Sequence, residues 1–205
     1  DEKSFLDYIS NVDSACYESD LKYFRWNTVL DFQGKDETLL HTIADRKEHQ
    51  PEAISYYKDT SKTETTDSCS NFGSLQAIKV VKRNQSGVIL ELELDFQNGA
   101  VSVQSEYNMR AILGCGITNI NLLDGSSVEM SILPSAYISI QAKGDGTYAV
   151  LGGGYGHGIG MSQNGAQKLC GQGFDYKRIL NYFYQDTELT ELYQPQNVTK
   201  EEGGA

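Results

Sequence analysis

One short stretch of the sequence places a histidine, a serine and a glutamine close together and surrounds the histidine with glycines. His157 is one of three histidines in the chain, and six of the nine residues from Gly152 to Gly160 are glycine. Near neutral pH an imidazole can accept or donate a proton, or orient a hydroxyl group. Ser162 and Gln163 follow, and hydroxyl and carboxamide groups both donate and accept hydrogen bonds. Such groups suit sugar hydroxyls and N-acetyl amides.

The elements on either side of this stretch indicate how the three polar residues are positioned. A strand-like run from Thr147 to Leu151 precedes it, and a helical run from Gln163 to Cys170 follows it. Ser162 is placed to cap the helix N-terminus, and Gly171 to end the helix in the left-handed conformation. Glycine adopts positive φ without a steric penalty. We therefore expect a strand-to-helix loop that presents its polar side chains and helix amides in one place.

Three other readings of the loop are weaker. Ser162 could act as a nucleophile, but no G-x-S-x-G elbow is present and no acidic residue is identifiable as its orienter. A phosphate-binding loop would need G-x-x-x-x-G-K-[ST], which the sequence lacks, and no acidic residue lies at the distance that a dinucleotide ribose needs. His157 could also be a histidine of the core, although glycines on both sides make this less favourable.

Read as G-x-G-H-G-x-G-M-S-Q-x-G-A, the loop resembles the signature of the stage II sporulation protein D / amidase enhancer (SpoIID/LytB) family. Residues 171–184 resemble the closing segment of that family, Arg110 to Gly114 its R-x-x-L-G element, and Phe24-Arg25-Trp26 a further element. The resemblance covers roughly residues 1–190, as the later part of the family domain. Two positions depart from the family pattern: Asn164 stands where tyrosine is common, and Cys115 where leucine is common.

This resemblance implies work on peptidoglycan. Members of the family cleave the bond between N-acetylmuramic acid and N-acetylglucosamine as lytic transglycosylases, notably during spore engulfment, and related members enhance wall amidases. The reaction needs a carboxylic acid that donates and then accepts a proton. The family carries it as a glutamate in an E-M-P-type segment near the start of the domain. This chain lacks that segment and the zinc-binding segment that follows it in the family.

We therefore identify no catalytic residue in this chain, and Glu106 is the first carboxylate to suspect if cleavage occurs. The predicted glycan-binding residues are named from the loop and from the R-x-x-L-G element. They are His157, Ser162, Gln163, Arg110 and Tyr155.

Two hypotheses about function follow. In the first, the chain is the later part of a glycan-cleaving domain that acts in sporulation or wall remodelling. In the second, it is a non-catalytic glycan-binding module or amidase enhancer. Both imply peptidoglycan strands as the partner, with other wall hydrolases or amidases as further partners. Both also imply an extracytoplasmic location, at the cell envelope or between forespore and mother cell.

Composition narrows the alternatives. Hydrophobic residues make up 39% and charged residues 22% of 205 residues, as in ordinary globular domains. The net charge of −11 argues against nucleic acid as a partner, because phosphate contacts need clustered Lys and Arg. No apolar run is long enough to span a membrane, and no basic and apolar leader opens the sequence, so we expect any targeting segment to lie outside this chain.

The four cysteines are scattered and form no C-x-x-C pair, so they are expected to be structural or free thiols. Zinc accepts sulfur and nitrogen ligands, and a site made of Cys115, Cys170 and His157 is conceivable. Their spacing gives such a site no support. We predict no metal and no cofactor.

The fold is predicted to be α+β, with an antiparallel, β-rich centre made of local hairpins and a few helices, two of them C-terminal. Asp36 is predicted to cap a helix over residues 37–44, and Ser105 one over residues 106–113. The SpoIID-like domain spans 1–192, with 49–74 a polar loop or insertion, and 193–205 is a polar tail.

The remaining strands and their turns are predicted from period-two patterns. Phe5 to Ile9 and Asn11 to Asp13 are predicted as an extended segment, and Phe24 to Phe32 as a strand. The hairpins are 77–83 with 88–96, 88–96 with 101–103 through Asn98-Gly99, 122–123 with 128–132, and 137–141 with 148–151.

Overall fold

The computed structural model describes residues 1–12 and 16–190. The chain divides into a first unit, Asp1–Ile159, and a second unit, Gly160–Ala205. In chain order the helices and strands are α1 (Glu2–Ser10), β1 (Trp26–Asp31), α2 (Asp36–His49), β2 (Ile54–Tyr57), β3 (Leu75–Arg83), β4 (Ile89–Phe96), β5 (Gly99–Val103), α3 (Glu106–Gly114), β6 (Ile120–Leu122), β7 (Ser127–Val128), β8 (Ile138–Ala142), β9 (Thr147–Gly152), α4 (Gln163–Gly171) and α5 (Tyr176–Phe183).

Two antiparallel sheets form the centre of the first unit. One has the strand order β7-β6-β1-β9-β8, and the other has the order β2-β5-β4-β3. Strands β3 and β4, β4 and β5, and β8 and β9 pair as the local hairpins that the sequence predicts. Strands β6 and β7 also form a hairpin, but its paired residues are 120–121 with 127–128 and not the predicted 122–123 with 128–132. The α+β class, the antiparallel centre and the two C-terminal helices are therefore confirmed.

The core of the first unit is filled by the inward residues of both sheets and by one face of α2 and of α3. Burying a leucine or isoleucine side chain contributes roughly 1.5–3 kcal/mol relative to leaving it exposed. In α2 the buried residues are Leu39, Leu40 and Ile43, which share one face of the helix. The fully buried residues include Leu30, Leu92, Leu94, Ile112, Leu113, Ile120 and Leu133.

The extended segment predicted at the amino terminus is wrong, because these residues form α1. The Asp1 side chain accepts a hydrogen bond of 2.7 Å from the Ser4 N–H, which caps the helix. Phe5 and Ile9 are four positions apart and are the two buried residues of the helix. Such a short helix shows too few apolar repeats to separate a helical period from a strand. Of the predicted extended run Asn11 to Asp13, Asn11 follows the helix with extended φ and ψ angles of −79° and 126°, and Asp13 lies outside the described residues.

The prediction that Asp36 caps α2 is also wrong. The N-cap position is Lys35, which makes no side-chain cap, and Asp36 is the first helical residue. The Asp36 carboxylate instead accepts a hydrogen bond of 3.0 Å from the Leu75 N–H, which fixes the start of β3. The helix also continues past residue 44 to His49. His41 and His49 are both exposed on it.

The polar stretch 49–74 contains a strand that the sequence analysis missed. Residues Ile54 and Tyr56 are buried and alternate with partly exposed neighbours along β2. This strand pairs with β5, so that Ile54 lies opposite Val103. Its partner lies far along the chain, and four residues give little periodic signal, so the pattern alone could not reveal it.

The Asn98-Gly99 pair serves a different purpose from the one predicted. The hairpin loop consists of Gln97 and Asn98, and Gly99 is the first residue of β5, opposite Phe96. A Cβ at Gly99 would lie 2.5 Å from the Phe72 ring. The glycine is therefore needed for close packing against Phe72, while the hairpin itself is confirmed.

In the second unit, α4 and α5 are both capped by side chains. Ser162 Oγ accepts a hydrogen bond of 3.0 Å from the Gly165 N–H, so its predicted capping role is confirmed. The left-handed stop predicted at Gly171 is wrong: Gly171 is the last residue of α4, and the positive φ of 85° occurs at Gly173. Over residues 1–12 and 16–190, no helix has the length and apolar character needed to cross a membrane. The polar tail predicted at 193–205 lies outside the described residues.

Candidate functional site

The base of the glycine-rich loop rests on Trp26. A Cβ at Gly152 would lie 2.2 Å from the indole ring, so only glycine allows the end of β9 to pass over it. The Trp26 Nε1–H donates a hydrogen bond of 3.1 Å to the Gly154 carbonyl oxygen, and the Gly154 N–H donates one of 2.8 Å to the Tyr23 carbonyl oxygen. Tyr23 and Trp26 thus hold the backbone of Gly154 from both of its polar groups.

A second segment, residues 133–135, holds the same loop from another direction. The Ser135 hydroxyl donates a hydrogen bond of 2.7 Å to the Gly153 carbonyl oxygen. The Gly156 N–H donates one of 2.9 Å to the Pro134 carbonyl oxygen, and Gly156 forms a parallel bridge with Ser135. Backbone groups at three loop positions are therefore satisfied by fixed partners, which restricts the loop up to Gly156.

The R-x-x-L-G element supports residues 133–135 from below. Arg110 Nε donates a hydrogen bond of 2.8 Å to the Leu133 carbonyl oxygen. A Cβ at Gly114 would lie 2.2 Å from the Ser131 carbonyl oxygen, so the helix and this segment are in backbone contact. Arg110 is only 9% exposed, and its guanidinium group also pairs with Glu106 at 3.1 Å. These contacts place Arg110 beneath the loop as a structural support.

Beyond this base, every second residue of the loop is a glycine in the left-handed region. The φ angles of Gly154, Gly156, Gly158 and Gly160 are 75°, 122°, 72° and 79°. Residues with a side chain rarely adopt such angles. Side chains therefore occur only at the intervening positions, and those at 155, 157 and 159 are all exposed.

The imidazole of His157 is exposed and is not part of the core. Its Nδ1 accepts a hydrogen bond of 3.0 Å from the Ile159 N–H. Because Nδ1 is an acceptor in this arrangement, the neutral ring carries its proton on Nε2. In this tautomer His157 offers an N–H donor, which suits a hydroxyl or carbonyl oxygen of a ligand.

Tyr155 is 64% exposed, and its ring lies beside that of Tyr23. The ring centroids are 4.8 Å apart and the planes are inclined by 36°. Tyr23 is a residue that the sequence analysis missed. Its position directly before Phe24-Arg25-Trp26 was a possible signal, but the contact depends on the pairing of β1 with β9.

Ser162 and Gln163 belong to the second unit. The Ser162 hydroxyl accepts a hydrogen bond at the start of α4, and Gln163 is the exposed first residue of that helix. In the same unit, a Cβ at Gly160 would lie 3.3 Å from the Tyr184 hydroxyl oxygen. The first unit contains His157, Tyr155 and Arg110, so the meeting of all five predicted residues in one place stays a prediction.

Among residues 1–12 and 16–190, no group of three or more His, Cys, Asp or Glu side chains is placed to hold a metal ion. Cys16, Cys69, Cys115 and Cys170 are free thiols. Cys115 lies 3.2 Å from the Thr42 hydroxyl oxygen, and burial raises the pKa of the Cys69 thiol.

Comparison with known proteins gives two curated relatives, both from Bacillus subtilis (strain 168). An amidase enhancer is 34% identical over 89 residues, which cover 43% of this chain and 12% of that protein. Stage II sporulation protein D is 36% identical over 76 residues, which cover 37% of this chain and 22% of that protein. These relatives confirm the predicted SpoIID/LytB resemblance over part of the chain. The chain spans less than a quarter of the length of either relative.

A family model with the description "Domain of unknown function (DUF8618)" matches residues 45–160. The matched region includes the R-x-x-L-G element, segment 133–135 and the glycine-rich loop as far as Gly160. Because the match covers more than half of the 205 residues, the chain belongs to this family of domains of unknown function.

Proposed function

We propose that this protein binds the glycan strands of peptidoglycan through the exposed side of the glycine-rich loop. Tyr155 and His157 of the first unit contact the strand, and Ser162 and Gln163 of the second unit keep their predicted role as glycan-binding residues. Arg110 contributes indirectly, because it holds the segment on which the loop rests. The proposal draws on the names of the relatives and on the exposed residues of a loop whose base is fixed.

The observation that carries the proposal is the contrast between the two ends of the loop. At its base, the backbone groups of Gly153, Gly154 and Gly156 form hydrogen bonds with Tyr23, Trp26 and residues 134–137. Its outer residues instead display an aromatic ring and an N–H donor to solvent. Carbohydrate sites combine flat aromatic surface with a few hydrogen-bonding groups of this kind. A preorganised backbone lowers the entropic cost of binding.

Binding of the strand, and not its cleavage, is the activity that we propose for this chain alone. A lytic transglycosylase reaction needs a protonated carboxylic acid beside the glycosidic oxygen. Glu106 accepts a hydrogen bond from Arg110 at 3.1 Å, and the two side chains form an ion pair within α3. That pairing favours Glu106 as a structural residue. We therefore propose that this chain alone binds glycan without cleaving it.

A second candidate is the role named by the amidase enhancer of Bacillus subtilis, to which the chain is 34% identical over 89 residues. In this role the protein would bind glycan strands and raise the activity of a separate wall amidase. Both candidates place the protein outside the cytoplasm, at the cell envelope or between forespore and mother cell. Both use the same glycan-binding surface.

A pelleting assay with purified peptidoglycan sacculi tests the proposal. We expect the wild-type chain to sediment with sacculi, and Tyr155→Ala and His157→Ala to sediment less. Two matched controls change exposed residues on helices of the first unit: Tyr107→Ala on α3 and His49→Ala on α2. If the wild-type chain stays in the supernatant, or if the loop variants bind as the controls do, the proposed binding surface is wrong.

The same incubation distinguishes the two candidates. Anhydromuropeptides released by the chain alone would contradict binding without cleavage, and Glu106→Gln would then be the first variant to measure. A wall amidase added to the mixture tests the enhancer role. We expect its rate of stem-peptide release to rise with wild-type protein and to rise less with His157→Ala.

A further inference from the structure

The rings of Tyr23 and Tyr155 are in contact at the glycine-rich loop. The two ring centroids are 4.8 Å apart, a distance at which aromatic rings attract one another. Tyr23 is partly buried against the core, whereas Tyr155 is 64% exposed. One ring is therefore anchored in the fold and the other is displayed, so that Tyr23 supports Tyr155.

The backbone next to each ring is also fixed. The Gly154 N–H, directly before Tyr155, donates to the Tyr23 carbonyl oxygen at 2.8 Å, and the Gly156 N–H, directly after it, donates to Pro134 at 2.9 Å. A tyrosine side chain has only two main rotatable bonds, so little freedom remains to be lost on binding. The exposed ring of Tyr155 is therefore presented to solvent with its neighbouring backbone and one ring edge already held.

We propose that Tyr155 is a stacking surface for a pyranose ring and that Tyr23 is the residue that positions it. This inference rests on the proposed function, and it goes beyond it by naming the chemistry that is recognised. A β-1,4-linked N-acetylhexosamine ring has equatorial substituents, so both of its faces present C–H groups. These groups pack on the face of an aromatic ring. His157, two residues along, supplies the N–H donor for an acetamido or hydroxyl oxygen.

This mode of recognition makes a specific statement about the ligand. Stacking depends on the face of the sugar ring and not on the lactyl ether of muramic acid or on its peptide. Chitohexaose, a soluble β-1,4-linked oligomer of N-acetylglucosamine, should therefore bind to the wild-type chain. The binding energy should come from the aromatic ring of Tyr155, and its hydroxyl group should contribute little.

The test is titration of the wild-type chain and of four variants with chitohexaose, followed by NMR of the tyrosine ring signals. We expect Tyr155→Phe and Tyr23→Phe to keep the affinity within about twofold, because the stacking face remains. Tyr155→Ala and Tyr23→Ala should weaken binding by about tenfold, a loss typical of an aromatic stacking contact. Tyr107→Ala is the control, and the emission of Trp26, the single tryptophan, confirms that each variant is folded.

Three results would overturn the inference, and they can be told apart from failure of the proposed function. Unchanged affinity in Tyr155→Ala would remove the stacking surface, and equal losses in the Phe and Ala variants would assign the effect to the hydroxyl group. If sacculi are bound but chitohexaose is not, the lactyl or peptide groups are recognised, and only the stacking inference fails. If the wild-type chain does not sediment with sacculi, the proposed function itself fails.

Discussion

The Trp26 indole N–H donates a hydrogen bond to the Gly154 carbonyl oxygen at 3.1 Å, across 128 positions of sequence. It connects the Phe24-Arg25-Trp26 element to the glycine-rich loop through the pairing of β1 with β9. Arg110 connects the third element to the same loop by way of Leu133. The Phe24-Arg25-Trp26 element, the R-x-x-L-G element and the glycine-rich loop, three of the four elements of the resemblance, are therefore connected around the base of the loop.

Gly152→Ala should destabilise the fold. A Cβ at this position would lie 2.2 Å from the Trp26 ring, which is 2% exposed and has no room to move. Overpacking a core costs about 1–3 kcal/mol, and we expect a loss near the upper end. Urea denaturation measures it.

Gly171→Ala in α4 is the control, because no atom lies within 4 Å of the added Cβ. Alanine is the better helix former by about 0.5–1 kcal/mol, so this variant should be neutral or more stable. A Gly152→Ala protein that unfolds at the wild-type urea concentration would contradict the close contact with Trp26.

Arg110→Ala should lower the stability of the fold, and it should affect ligand binding only as a consequence. The change leaves the Leu133 carbonyl oxygen and the Glu106 carboxylate without their partner, at a cost of about 2 kcal/mol. Sacculus binding should fall only as far as the loop is disturbed. Denaturation and pelleting of the same samples separate the two effects.

Arg110→Lys is the informative companion variant. Lysine keeps the charge but cannot reproduce the guanidinium contacts to two partners, so part of the stability should still be lost. Weaker glycan binding together with wild-type stability in Arg110→Ala would restore the direct binding role that the sequence predicts for this residue.

Low pH should lower the stability of the fold through Glu93 of β4, whose carboxylate forms ion pairs with Lys62 and Lys79. Burial alone would raise the pKa of Glu93, but hydrogen bonds and charge from Lys62 and Lys79 outweigh it and hold that pKa below its usual 4.5. A lowered folded-state pKa gives stability that is present above pH 4.5 and is lost as the pH falls through the folded value. Urea midpoints measured over this range should drop in wild type and drop less in Glu93→Gln, whereas the exposed Glu48→Gln should follow wild type.

At high pH, Tyr137 should ionise later than an exposed tyrosine. Burial, followed by the charge and hydrogen bond of Tyr8, raises the pKa of Tyr137 to about 12 from its usual 10.0. A raised folded-state pKa gives stability that is complete below pH 10.0 and is lost as the pH rises through 12. Burial also raises the pKa of Tyr56 and Tyr148, so ultraviolet titration of tyrosinate should show a late step that Tyr137→Phe makes smaller by one tyrosine and that the exposed Tyr176→Phe leaves in place. An unchanged late step in Tyr137→Phe would contradict the assignment.

Local patterns predicted what local interactions determine. The hairpins of β3 to β5 and of β8 with β9 follow from alternating residues on either side of a turn. Ser105 and Ser162 were predicted as caps because the capping hydrogen bond closes within three residues. The strand β2 could not be predicted in the same way, because it becomes a strand only by pairing with β5.

The residues of the candidate site likewise divide into those that the local sequence predicts and those that depend on distant strand pairing. His157 and Tyr155 stand out in the sequence because glycines surround them, and both are exposed in the structure. Tyr23 does not stand out, because its contact with Tyr155 arises only when β1 and β9 are paired. Arg110 was predicted from a motif that cannot distinguish a residue facing a ligand from one that supports the backbone behind it.

The alternation of left-handed glycines in the loop has a consequence for how this protein can vary. Substitution at 154, 156, 158 or 160 forces a side chain into a backbone conformation that it resists, whereas the odd-numbered positions between them are under no such constraint. In a saturation library across the segment, we therefore expect substitutions to be tolerated at alternate positions, with the four glycine positions nearly invariant. The side chains at 155, 157 and 159 can therefore be changed one at a time while the backbone keeps its path.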